Sequence, residues 1–154
     1  MTELKKILVL LVLLLFSSAC GYTPIYSKKD VHFNISNINF TGDRNITQKI
    51  NEKLSNYKNN SDKKKQVNLI LNSEKDIAVV SRNNKGEAQS YKMTIKVEMN
   101  ATFENNRSIE RIFLKTTNYN ATERISKLKD IEDKLTSDLS AQIASEIILN
   151  LLED

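Results

Sequence analysis

Tyr91, Met93, Ile95, Val97, Met99, Ala101 and Phe103 occupy every odd position of one stretch of this chain, and Lys92, Thr94, Lys96, Glu98, Asn100 and Thr102 fill the even ones. That alternation is the period of a strand with one face in a core and the other in water. At about 3.3 Å per residue the stretch spans roughly 40 Å, long for a small domain. A strand of that length needs neighbours along its edges and a cover of matching length over its apolar face.

The rest of the sequence supplies both. Val31, Phe33 and Ile35 alternate with polar residues, and Ile38 and Phe40 continue on the opposite phase, so a strand with a bulge near Asn37 is expected. Ile46, Ile50, Leu54 and Tyr57 then form one stripe of a three-turn helix. Asn45 and Gln48 are spaced as its N-cap and capping-box partner. Residues 59–65 are polar and read as a loop. Val67, Leu69 and Leu71 open a second strand, which resumes at Ile77, Val79 and Val80 after a polar interruption. Asn83-Asn84-Lys85-Gly86 and Asn105-Asn106 are turn signals on either side of the long strand. A fourth strand covers 109–119. From Ser126, apolar residues recur at Leu128, Ile131, Leu135, Leu139, Ile143, Ile147 and Leu151. A helix of about 25 residues would be near 38 Å long, a match for the strand.

The order is β-α-β-β-β-α. The economical arrangement is an α+β two-layer sandwich, a four-stranded, mainly antiparallel sheet with two helices on one face. The opposite sheet face is expected to be polar and exposed.

The N-terminus follows a different logic. Lys5 and Lys6 precede an unbroken apolar run over 7–16, then Ser17-Ser18-Ala19 and Cys20. Charged region, short apolar region and small residues are the parts of a secretory signal. The run is about half of the roughly 20 residues that cross a bilayer. The chain's one cysteine directly after the small residues is what a lipid-transferring enzyme requires, although bacterial lipoproteins usually have Leu where Ser17 stands. The expected organisation is a lipoprotein signal peptide at 1–19, a lipidated extended tether at 20–30, and a single α+β domain at 31–154. Two or more acyl chains on Cys20 would hold that domain at a membrane surface. Gly21, rather than the Asp common in lipoproteins kept at the inner membrane, favours the outer membrane.

Acylation of Cys20 leaves no thiol for a disulfide, metal or nucleophile. His32 is the one histidine and falls on the polar phase of the first strand. Asp130, Glu132 and Asp133 read as the wet side of a helix. No metal site, nucleophile–base pair or phosphate-cradling loop stands out, so neither an enzyme nor a bound cofactor is expected, apart from the diacylglyceryl and N-acyl groups on Cys20. Without residues 1–19 the net charge falls from +4 to +3, 21 basic against 18 acidic residues. That balance, with no aromatics among the lysines, excludes a nucleic-acid binder. The many Asn-x-Ser/Thr triplets follow from an asparagine-rich composition. Arg82 and Lys85 flank the first hairpin tip, and Lys92 and Lys96 share the polar face of the long strand. Arg82 and Lys85 are the candidate phosphate-binding residues, by charge and position alone.

Three features together, Ala19-Cys20-Gly21-Tyr22-Thr23-Pro24-Ile25-Tyr26, Thr117-Asn118-Tyr119-Asn120 and the β-α-β-β-β-α order, carry a resemblance. The chain resembles the lipopolysaccharide-assembly lipoprotein LptE family, especially its alphaproteobacterial branch. It departs from that branch at Ile25, where Leu is frequent, and at Asn118, where Ser is. The resemblance implies a non-catalytic lipoprotein, anchored on the periplasmic side of the outer membrane, that plugs a large LptD-type β-barrel and assists it in lipopolysaccharide assembly. The implied partners are that barrel, lipopolysaccharide, and the membrane through the lipid anchor. The alternative from the residues alone is a periplasm-facing envelope scaffold unrelated to lipopolysaccharide.

Overall fold

In the computed structural model, which describes residues 33–58 and 65–153, the chain enters the sheet at Phe33. The signal segment 1–19, Cys20, the tether 20–30, His32 and the loop 59–64 lie outside the described residues. Strand β1 (Phe33–Gly42) lies parallel to β2 (Lys65–Arg82), and its pairing slips between Ile35 and Asn37. This is the expected bulge, and it returns Ile38 and Phe40 to the face already occupied by Phe33 and Ile35. Helix α1 (Arg44–Leu54) makes the crossover and buries Ile46, Ile50 and Leu54. A single 3-10 turn (Ser55–Tyr57) follows, and the Tyr57 ring stacks on Phe33 at 5.6 Å.

Strand β3 (Ala88–Phe103) pairs antiparallel with both β2 and β4 (Ser108–Asn120), giving the sheet order β1-β2-β3-β4. Gly86 and Asn106 take the positive φ of the two hairpin turns, +82° and +60°. Helix α2 (Ile125–Glu153) runs over the same face as α1. The four-stranded sheet with two helices on one side is therefore as expected, with one parallel pair in it. The core lies between the layers, where Met93, Ile95, Val97 and Ala101 meet Ile143, Ala144 and Ile147, all fully buried. Met93 and Met99 are core residues. No helix among the described residues is long and apolar enough to cross a membrane.

Four sequence expectations change. First, the N-cap of α1 is Asp43, not Asn45: the Asp43 carboxylate accepts from the backbone N–H of Asn45 at 2.9 Å and of Ile46 at 3.2 Å. Gln48 bonds Glu52 instead. Asp43 wins because its own N–H is held by the Ser73 carbonyl at 3.0 Å, which fixes the point where the strand becomes helix.

Second, β2 is not interrupted. Ser73 sits on the inner face and is buried, donating from its hydroxyl to the carbonyls of Thr41 and Asp43 at 3.3 Å. The two strands approach so closely here that residue 42 must be glycine: an added Cβ on Gly42 (φ +93°) would lie 1.9 Å from the Ser73 carbonyl oxygen.

Third, Glu132 is not on the wet side of α2. It is half-buried and accepts from the Tyr119 hydroxyl at 2.7 Å. Two further polar residues of α2, Thr136 and Ser140, lie in the core because their hydroxyls bond back to the carbonyls of Glu132 and Thr136.

Fourth, the outer sheet face is not wholly polar. Ile70, Ile112 and Leu114 stand on it with 52, 66 and 57 % of their surface in water.

Candidate functional site

The β2–β3 turn is organised by one side chain. Asn83 Oδ1 accepts from the backbone N–H of Lys85 at 2.9 Å and of Glu87 at 3.0 Å, while its Nδ2 donates to the Glu87 carboxylate at 2.7 Å. Backbone bonds from Asn83 N to Glu87 O and from Gly86 N to Asn83 O, both 2.9 Å, close the loop. The tip is thus a small wired unit, and Arg82 and Lys85 are both exposed on it. Arg82 Nη1 donates to the Gly86 carbonyl at 2.8 Å, which leaves the remaining guanidinium N–H groups to the solvent side. Glu87 shares the turn, so the tip carries two cations and one anion.

The other two lysines do not join this cluster. Lys96 binds Glu98 at 2.5 Å, and Glu98 also accepts from Asn72 at 3.3 Å. These hydrogen bonds hold the Glu98 carboxyl below its usual range and the Lys96 ammonium above its own. Lys92 is opposite Ala78 and Asn118 and makes no ion pair among the described residues. It lies four residues along β3 from Ala88, the partner of Arg82, or about 13 Å. A ligand phosphate at the tip would meet Arg82 and Lys85 first.

A second feature lies on the outer sheet face. Ile70 and Ile112 wall a shallow groove of about 650 Å³ over Asn72, Glu98, Asn100 and Glu110. Its floor is already satisfied internally, since Asn72 donates to Glu98 and Asn100 donates to Glu110 at 3.1 Å. The groove therefore offers apolar walls for packing, with Arg111 at its margin bonded to the Glu110 main-chain carbonyl. Sequence reading missed it because Ile70, Ile112 and Leu114 sit on the even, polar phase of their strands.

Nothing in either place assembles catalytic chemistry. Among the described residues no group of three or more His, Cys, Asp or Glu side chains could hold a metal, and no buried side-chain nitrogen or oxygen lacks a partner. Among the described residues, Tyr119 is the group whose acidity is strongly perturbed. Burial, reinforced by the Glu132 carboxylate, pushes its hydroxyl well above the usual tyrosine range, so it stays a neutral donor.

Among the solved structures that share this fold are bacterial lipoproteins. One is rare lipoprotein B from Shewanella oneidensis, with a TM-score of 0.57 and 16 % identity over 77 % of this chain and 95 % of that one. Another is lipoprotein B from Nitrosomonas europaea, with a TM-score of 0.53 and 11 % identity over 82 % of this chain and 88 % of that one. No protein-family model and no curated sequence matches the chain. At these identities the likeness is one of fold.

Proposed function

We propose that this chain is an outer-membrane lipoprotein, acylated at Cys20, that acts without catalysis as the plug and assembly partner of a large LptD-type barrel delivering lipopolysaccharide. The observation that carries the proposal is the coincidence of two independent features. The fold is shared with rare lipoprotein B, an LptE-like fold, and residues 1–20 have the order of a lipoprotein signal ending in Cys20. The layout suits the role. The chain enters the sheet at Phe33, opposite Lys65, whereas Arg82 and Lys85 stand at the other end of β2, about 55 Å away along the strand. In this reading the cationic turn, at the far end of β2 from the entry strand, meets lipid phosphates.

Purification from native membranes in mild detergent, with identification of what accompanies the protein, tests the reading. A stoichiometric large outer-membrane barrel supports it. Lipidated protein with no barrel favours an envelope scaffold unrelated to lipopolysaccharide. Replacing Arg82 and Lys85 with Ala should weaken lipopolysaccharide binding by about tenfold, two exposed ion pairs of under about 1 kcal/mol each being lost, without lowering the melting temperature. Unchanged binding removes these two residues from the role.

A further inference from the structure

Strand β1 ends half-way along β2. Its last pair is Gly42 with Ser73, after which Asp43 turns the chain into α1, while β2 continues to Arg82. Among the described residues no strand covers that edge of β2 beyond Ser73. The hydrogen bond from Asp43 N to Ser73 O points the Ser73 main-chain groups toward β1. By strand alternation the N–H and C=O of Lys75, Ile77 and Val79 share that direction. The pairing with β3 is regular from Val67 to Val79 and slips first at Val80 and again between Ser81 and Arg82, so the open stretch is bounded by the end of β1 and by the first of these irregularities.

The side chains along this stretch are sorted by face. Ile77 and Val79 are on the helix side, yet α1 starts level with Ser73 and runs back toward the entry end, leaving them 38 and 40 % exposed. Glu74 and Asp76 are on the outer side, opposite Lys96 and Thr94. Lys75 is already turned onto Asp43, 3.8 Å away. Edge, exposed apolar pair and carboxylate pair occupy the same six residues.

We infer that residues 74–79 accept an extended segment of another protein as a fifth strand, one that carries apolar residues opposite Ile77 and Val79 and basic residues opposite Glu74 and Asp76. Directly opposed side chains lie on the same face, so alternation in the guest must match alternation in the host. Main-chain bonds supply the attachment and the two faces supply selection. A second copy of this chain fits less well. Antiparallel self-pairing about Ile77 would set the two Asp76 carboxylates on one diagonal with both Glu74 side chains on the same face. The inference does not depend on the lipopolysaccharide reading, because no lipid contact enters it.

The test uses the full-length chain in mild-detergent micelles and two synthetic eight-residue peptides, one alternating lysine with valine and one alternating glutamate with valine. Binding is read by fluorescence anisotropy, and amide exchange by mass spectrometry. The basic peptide should bind at least tenfold more tightly than the acidic one, although the protein itself is cationic. It should slow exchange at 74–79 and leave 108–120, the β4 edge of the sheet, unchanged. Glu74→Lys with Asp76→Lys should reverse the preference between peptides. Val79→Pro, which removes an edge N–H that no strand uses, should abolish binding with the melting temperature held. If that variant fails to fold, the charge-reversed pair decides. Equal binding of both peptides, unchanged exchange at 74–79, protection at 108–120 instead, or a dimer whose 74–79 amides are protected without peptide would each overturn the inference.

Discussion

At the scale of single residues, the junction of Gly42, Asp43 and Ser73 controls how strand gives way to helix. Gly42 combines a positive φ with contact against the Ser73 backbone, so Gly42→Ala meets both a conformational and a steric penalty. We expect a loss of at least ~2 kcal/mol in urea unfolding, larger than for an ordinary surface change. Tyr119 is the second such residue. Tyr119→Phe deletes the bond to Glu132 and should cost about 1–2 kcal/mol near pH 7. Its pH dependence has a definite sign. The folded-state pKa is raised above the ordinary value of 10.0, so the unfolded chain loses this proton first. The contribution is complete below pH 10 and declines as pH rises above it. The stability gap between the parent and Tyr119→Phe, followed by urea midpoints from pH 8 to 11, should therefore narrow only at the alkaline end.

At the scale of elements, α1 shows how a correct helix can carry a wrong boundary. The stripe Ile46, Ile50, Leu54 was legible because its spacing is local, and all three are buried. Its cap was not, since Asn45 has suitable chemistry and Asp43 prevails through a bond to Ser73, thirty residues away. Asp43→Ala should destabilise the protein by about 1 kcal/mol, whereas Asn45→Ala should stay within about 0.5 kcal/mol in the same urea titration. Helix α2 makes the converse point. Its buried end follows the apolar repeat through Leu139, Ile143, Ile147 and Leu151, but Leu128, Ile131 and Leu135 are only half-buried. Thr136 and Ser140 enter the core there because a hydroxyl can bond the preceding turn of its own helix, an option that hydropathy spacing does not register.

At the scale of the whole molecule, the packed layers and the proposed anchor are separable. The core side chains of the described residues run from Phe33 to Leu151 and pack as one cluster among themselves. Cys20→Ala should therefore leave the midpoint of thermal unfolding unchanged and move the protein from the membrane to the soluble fraction on cell fractionation. Retention at the membrane without acylation would count against lipid anchoring. The distribution of charge is also a property of the whole. Strand phase puts Lys96 with Lys92 on the outer face, but pairing with Glu98 on that same face removes it from the free cations.

The alternating patterns of 31–40, 67–80, 91–103 and 109–119 and the helical stripes of 46–57 and 128–151 were enough to determine four strands, two helices and one buried sheet face, because side-chain direction depends on backbone period alone. They could not determine that β1 runs parallel to β2 and stops at Gly42. Nor could they show that Ser73 holds Asp43 as the cap, or that Ile70, Ile112 and Leu114 remain in water. Those outcomes rest on which strand lies beside which and how far each helix reaches over the sheet. Both are set by contacts between residues remote in the chain, which only the assembled layers bring together.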